Sequence, residues 1–153
     1  MEAREVNKYL SDLGLTLGSV ESFTGGLFAS TITSVGGASK IFKGSLITYA
    51  TEEKINIAKV PEDIVKQFGV VSKEVAYHMA NNGRYILNVD VCVSFTGNAG
   101  PDAMEGKPVG EVHIGIASAD AAQIYSLQLH GDRNEIRRQA VEFALKKLAL
   151  LKK

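Results

Sequence analysis

An α/β domain is predicted for the 153-residue chain, with helices covering both faces of a mixed sheet of about five strands and one domain spanning 1–153. Three observations carry this. Several segments repeat apolar residues at helical spacing; short apolar runs rich in Val and Ile end in Gly-rich turns; and the last two runs alternate like a hairpin. Between them the elements account for most of the chain.

The first helix covers 3–13, where Val6, Tyr9, Leu10 and Leu13 share a face and Gly14 follows as a C-cap. Leu15 to Val20 reads as a strand, Thr24-Gly25-Gly26 as the turn, with Thr24 as capping residue, that opens a helical segment Leu27 to Thr33, and Gly36-Gly37 as its stop. Ser45 to Ala50 has strand composition, and Thr51-Glu52-Glu53 supplies a cap and first-turn acids for a helix running to about Lys59. Pro61 starts a short helix ending at Gly69. Ser72 begins a longer one, with Val75, Met79 and Ile86 on its apolar face and an end near Leu87. Val89 to Phe95 is a buried strand running into Thr96–Pro101, and 110–118 with 123–130 form a hairpin across Asp120-Ala121-Ala122. From Asp132, an N-cap, the closing helix runs to Leu150 and buries Ile136, Ala140, Val141, Ala144, Leu145 and Leu148.

Seventeen basic and seventeen acidic residues cancel, so no global field attracts nucleic acid or an anionic membrane, and an anionic ligand needs a local site. The lone Cys92 lies in an apolar run, which suits core packing and a reducing compartment. The amino terminus lacks the apolar core of a signal peptide and no run reaches ~18 apolar residues, so a cytoplasmic location is expected.

Ligands of open α/β sheets bind beyond the carboxyl ends of the strands, where Ser22–Gly26 and Thr96–Gly100 form two glycine-rich loops. Glycine admits a ligand to the backbone, and a helix opening at Thr24 directs free N–H groups toward an anion; ordinary tight turns are the plainer reading. Gly100 to Pro108 is not a phosphate-binding P-loop, because its glycine spacing is too long and Pro108 replaces the Ser or Thr. His78, His113 and His130 have no paired-ligand spacing, so no metal is expected, and a Gly-x-Ser-x-Gly elbow is lacking. A serine is also activated by lysine in some hydrolases, and Lys54 stands in the first turn after the strand that ends at Tyr49. To act as a base it needs burial or a positive field, the alternative being a solvated surface lysine. Arg133, Arg137 and Arg138 cluster at the start of the closing helix, where one could anchor an anion or all could serve surface ion pairs.

The segments ESFTGG (21–26), ITYATEEK (47–54), TGNAGP (96–101), KPVG (107–110) and GDRNEIRRQA (131–140), in this order, resemble the carboxy-terminal domain family of competence/damage-inducible protein CinA, which includes nicotinamide mononucleotide deamidases. The likeness covers about 5–150. It implies a three-layer α/β/α sandwich resembling anticodon-binding domains, no cofactor or metal, and homo-oligomers, a dimer favoured, without membrane or nucleic-acid partners. It further implies hydrolysis of the carboxamide of nicotinamide mononucleotide, with Ser22 as nucleophile, Lys54 as base and Tyr49 beside them. N–H groups near Thr24 and Gly25 fall at the oxyanion, Gly26 and Thr96 line the substrate, and Gly97, Gly100 and Arg137 fall at the ribose or phosphate. Phe23 stands where the family usually has Cys or Leu, and Asn98 where it has a small aliphatic residue. Both are expected to reshape substrate preference, and they motivate an alternative: a non-catalytic, competence-associated module binding a protein or nucleotide.

Overall fold

The computed structural model describes residues 2–152. Six helices flank a five-stranded sheet: α1 (Ala3–Leu13), β1 (Leu17–Glu21), α2 (Leu27–Thr33), β2 (Phe42–Ile47), α3 (Thr51–Asn56), α4 (Glu62–Phe68), α5 (Lys73–Ile86), β3 (Val91–Gly97), β4 (Glu111–Ala117), β5 (Ala122–Gln128) and α6 (Arg133–Leu148). A short 3₁₀ turn, Ala38–Lys40, precedes β2. The strand order is β2-β1-β3-β4-β5, with β2, β1 and β3 parallel and β4 and β5 antiparallel. This is the mixed α/β sheet that the sequence predicts.

Strand alternation divides the interior into two cores. Val91, Val93 and Phe95 of β3 face α1, α2 and α6, where Val6, Leu10, Phe28, Ile32, Ile136 and Leu145 close one core. Val20 and Cys92 face the other side and meet Val75 and Met79 of α5. Gly83 of α5 packs against this face so closely that a Cβ would stand 2.4 Å from Val20 Cγ2. Burial pushes the Cys92 thiol up to about 12, so it stays protonated and inert, in keeping with core packing.

Most caps follow the local sequence. Gly14 closes α1 in the left-handed conformation, Ser72 accepts the Val75 N–H, and Asp132 forms a capping box with Glu135. All six apolar positions expected on α6 are buried. Some details differ. Thr51 is the first residue of α3, Ala50 occupies its N-cap, and the helix stops at Asn56 rather than near Lys59. Ile86 is exposed, because Ala76, Ala80 and Gly83 occupy the buried face of α5 beside Val75 and Met79.

The largest correction concerns α2. Its helical residues are the expected Leu27–Thr33, behind Gly26, but the chain does not turn helical at Thr24 and Thr24 does not cap it. The cap is the carboxylate of Glu21, fully buried at the end of β1. Its Oε1 accepts from Gly26 N (3.1 Å), Phe28 N (3.0 Å) and the Thr24 hydroxyl (2.8 Å). Its Oε2 accepts from Ala29 N (3.0 Å), Ser19 Oγ (3.1 Å) and Ser45 Oγ (3.2 Å). A buried anion is thus held by the positive end of a helix and by hydroxyls. Glu21→Ala leaves three N–H groups without an acceptor, that of Phe28 buried and those of Gly26 and Ala29 partly buried, at up to about 1–3 kcal/mol each. We therefore predict a loss of several kcal/mol in urea unfolding, whereas Glu135→Ala at the exposed α6 capping box costs about 1 kcal/mol.

Candidate active site

Parallel strands carry their ligand sites where neighbouring crossovers leave on opposite faces. Here that point lies between β1, whose chain leaves into α2, and β3, whose chain leaves into the loop before β4. A cavity of about 450 Å³ opens there, lined by Ser22 and Phe23 after β1, Tyr49, Thr51 and Lys54 after β2, and Thr96 to Met104 after β3, with Val70 and Arg133. Ser22 is buried at its wall and is held through its backbone: its N–H donates to Phe95 O (3.0 Å) and its C=O accepts from Gly25 N (2.9 Å).

Lys54 is only 1% exposed. It reaches back over the first turn of α3, where Nζ donates to Thr48 O (2.8 Å) and Tyr49 O (3.1 Å). Desolvation lowers its pKa from 10.5 to about 8, against the opposing charges of Glu105 and Glu52. When Lys54 is neutral, its two protons stay on the two carbonyls and its lone pair takes the remaining tetrahedral corner. Lys54 is therefore not a solvated surface lysine.

Arg133 spans the mouth of the cavity. One guanidinium nitrogen donates to Gly100 O and another to the Tyr49 hydroxyl (2.7 Å), tying α6 to the loops after β3 and β2. Arg137, one helical turn further on, lies outside the cavity lining and binds Thr24 O (2.9 Å) and Asn134 Oδ1 (3.1 Å). Sequence spacing alone does not separate these two arginines, since i and i+4 share a helix face.

The structure thus brings Ser22, Tyr49, Lys54, Thr96, Gly97 and Gly100 to one cavity, while Thr24, Gly25, Gly26 and Arg137 stand behind it. Thr96 commits its hydroxyl to Val70 O (2.6 Å), and a Cβ on Gly97 would collide with Val112. Both therefore shape the wall. The Asn98 side chain is also spent within its loop, accepting from Gly100 N (3.1 Å) and donating to Lys107 O (3.4 Å). Phe23 packs into the core under α2 and α6. Among the described residues no group of three or more His, Cys, Asp or Glu is placed to hold a metal, and no helix is long and apolar enough to cross a membrane.

Residues 2–151 match the family model of the CinA C-terminal domain. The chain is 39% identical over 150 residues to a putative competence-damage inducible protein of Bacillus pumilus, covering 98% of this chain and 36% of that protein. It is 42% identical over 137 residues to the Bacillus mycoides protein of the same name, covering 89% and 33%. The chain spans about a third of the length of these curated relatives. Among solved structures, the competence/damage inducible protein CihA from Agrobacterium tumefaciens superposes with a TM-score of 0.93 at 31% identity, covering 97% of this chain and 92% of that one. A CinA superfamily protein from Escherichia coli gives 0.93 at 27% identity, covering 97% and 88%.

The lowered pKa of Lys54 has a signed consequence for stability. Below pH 8 both folded and unfolded chains carry the charge, and burying it costs about 3 kcal/mol. Between pH 8 and 10.5 the folded protein releases the proton while the unfolded chain retains it, so stability rises. Relative to Lys54→Met, which does not titrate, the native protein is expected to gain about 3 kcal/mol over that interval in urea unfolding. A constant difference between the two proteins contradicts this assignment.

Proposed function

The chain belongs to the CinA C-terminal domain family, and from that premise we propose that it is a metal-independent amidohydrolase, converting nicotinamide mononucleotide to nicotinate mononucleotide and ammonia. The observation that carries this reading is the buried Lys54, orientated by two carbonyls in the same cavity as Ser22. Ser22 Oγ attacks the carboxamide carbon as neutral Lys54 takes its proton. The tetrahedral intermediate collapses when Lys54 returns that proton to the departing ammonia. Water then adds to the acyl-serine with Lys54 again as base, releasing the carboxylate and restoring Ser22.

Donors for the oxyanion are limited. The N–H groups of Gly26, Phe28 and Ala29 are occupied by Glu21, and that of Gly25 by Ser22 O. Phe23 and Thr24 have N–H groups with no protein acceptor among the described residues, next to Ser22, and we assign the oxyanion to them. The phosphate goes to Arg133, whose guanidinium exchanges the Gly100 carbonyl and the Tyr49 hydroxyl for a charged acceptor. Tyr49, 59% exposed at the mouth, closes over the ribose side.

Ammonia release from nicotinamide mononucleotide, followed by a coupled assay, is expected to fall by at least about 10³-fold in Ser22→Ala and Lys54→Ala while the fold remains intact. Full turnover in either variant rejects the mechanism. Absence of turnover in the native protein, together with saturable nucleotide binding, supports a binding module instead. With a base of pKa about 8, log(kcat/KM) should climb with unit slope below pH 8 and level above it. Arg133→Ala should raise KM for the mononucleotide about 10–100-fold more than KM for the riboside, whereas Arg137→Ala should not discriminate between them.

A further inference from the structure

The loop between β3 and β4 lines the cavity through Asp102, Ala103 and Met104, and its outer limb is fastened to a distant part of the chain. Met104 and Lys107 form an isolated antiparallel bridge across Glu105-Gly106, both at positive φ (56° and 69°), the arrangement of a type I′ turn. A glutamate is out of place at such a position, where Asn, Asp or Gly is the usual residue. Left-handed backbone costs a side-chain-bearing residue about 1–2 kcal/mol. Surroundings that over-determine the conformation sustain it.

Those surroundings are specific. Glu105 Oε2 accepts from Val70 N (2.9 Å) and Oε1 from Val71 N (3.0 Å), both within the Gly69–Ser72 connection of α4 to α5. Lys107 Nζ donates to Phe68 O (2.8 Å), to Val71 O and to Glu105 Oε1 (3.3 Å). Gly69 makes room for the carboxylate, since a Cβ there would lie 2.5 Å from Glu105 Oε1. Val70 itself lines the cavity. We propose that Glu105 and Lys107 form a latch that fixes this wall of the cavity against the α4–α5 connection, and that Glu105 is a positioning residue for Lys54.

Several charged groups surround Lys54. Glu52 and Glu53 belong to its own helix, with Glu52 open to solvent; Arg133 and Asp102 line the cavity; Lys107 is paired with Glu105 at 3.3 Å. Glu105 is the first of the charges that keep Lys54 protonated, ahead of Glu52. Burial works to raise the carboxyl of Glu105 itself, but the Val71 and Val70 N–H groups and the Lys107 charge outweigh it and hold it below the ordinary range. The latch is therefore ionised wherever Lys54 titrates. Its second action is to oppose desolvation, keeping the base from losing its proton too readily to return it to ammonia. Only this second action rests on the amidase reading.

Two substitutions separate charge from turn geometry. Glu105→Gln removes the charge, and Glu105→Asn also suits the positive-φ position, so the chain folds with a better turn and no latch. In both, amide exchange at Val70 and Val71 should be about tenfold faster or more than in the native protein, and unchanged in Lys54→Met. The Lys54 pKa, read by NMR titration of its side chain without substrate, should move down from about 8. Native exchange rates at Val70 and Val71 in both variants overturn the latch, and an unmoved or raised Lys54 pKa overturns the positioning role. If the enzyme is active, the acid limb of kcat/KM in Glu105→Gln should shift to lower pH, which a merely structural contact would not do. Loss of the amidase reading through an active Lys54→Ala leaves the exchange and titration results standing.

Discussion

The carboxylate of Glu21 is the interaction on which the rest of the site depends. Six donors from β1, β2, the intervening loop and α2 converge on its two oxygens, with no cation beside it among the described residues. A carboxylate taken out of water is costly unless its lone pairs are filled, and here the first turn of α2 and three hydroxyls fill them. That sets the angle at which α2 leaves β1 and ties Ser45 of β2 to the same point. The next residue, Ser22, is then fixed between the ends of β1 and β3, its N–H on Phe95 O.

The same interaction decides where the chemistry cannot be. A helix N-terminus after a parallel strand is a ready anion site, and in this chain it is filled by the chain's own anion. The cavity is displaced to the other side of Ser22, toward Lys54 and the loop after β3. Glu21 thus acts as an internal plug that leaves Ser22 at the cavity wall and the α2 dipole satisfied.

Lys54 shows the complementary expense. Burying a lysine against two carbonyls destabilises the fold, and desolvation brings its pKa down to about 8 against the charges of Glu105 and Glu52. Two loops and α6 share in keeping it so: Thr48 and Tyr49 orient it, Arg133 ties Tyr49 to Gly100, and Glu105 with Lys107 holds the opposite wall. None of these contacts is local in sequence except the two carbonyls.

That distinction separates what was legible in the sequence from what was not. Helix periodicity and caps are interactions over three or four residues, so α1, the six buried positions of α6, Gly14, Ser72 and Asp132 could be read directly. The strands were found in kind, with displaced limits: β1 ends at Glu21, β2 covers Phe42–Ile47 rather than 45–50, and β3 runs to Gly97. Pairing with neighbours sets strand ends, and a strand's own residues hold little of that information. Ser22, Tyr49 and Lys54 were legible as a pattern, because their motifs sit at the ends of strands. The burial of Glu21, its replacement of Thr24 as the cap of α2, the place of Arg133 rather than Arg137 at the cavity, and the grip of Glu105 on Val70 were decided only in three dimensions. Each depends on which distant backbone group stands within hydrogen-bonding distance, and that follows from the packing of the layers.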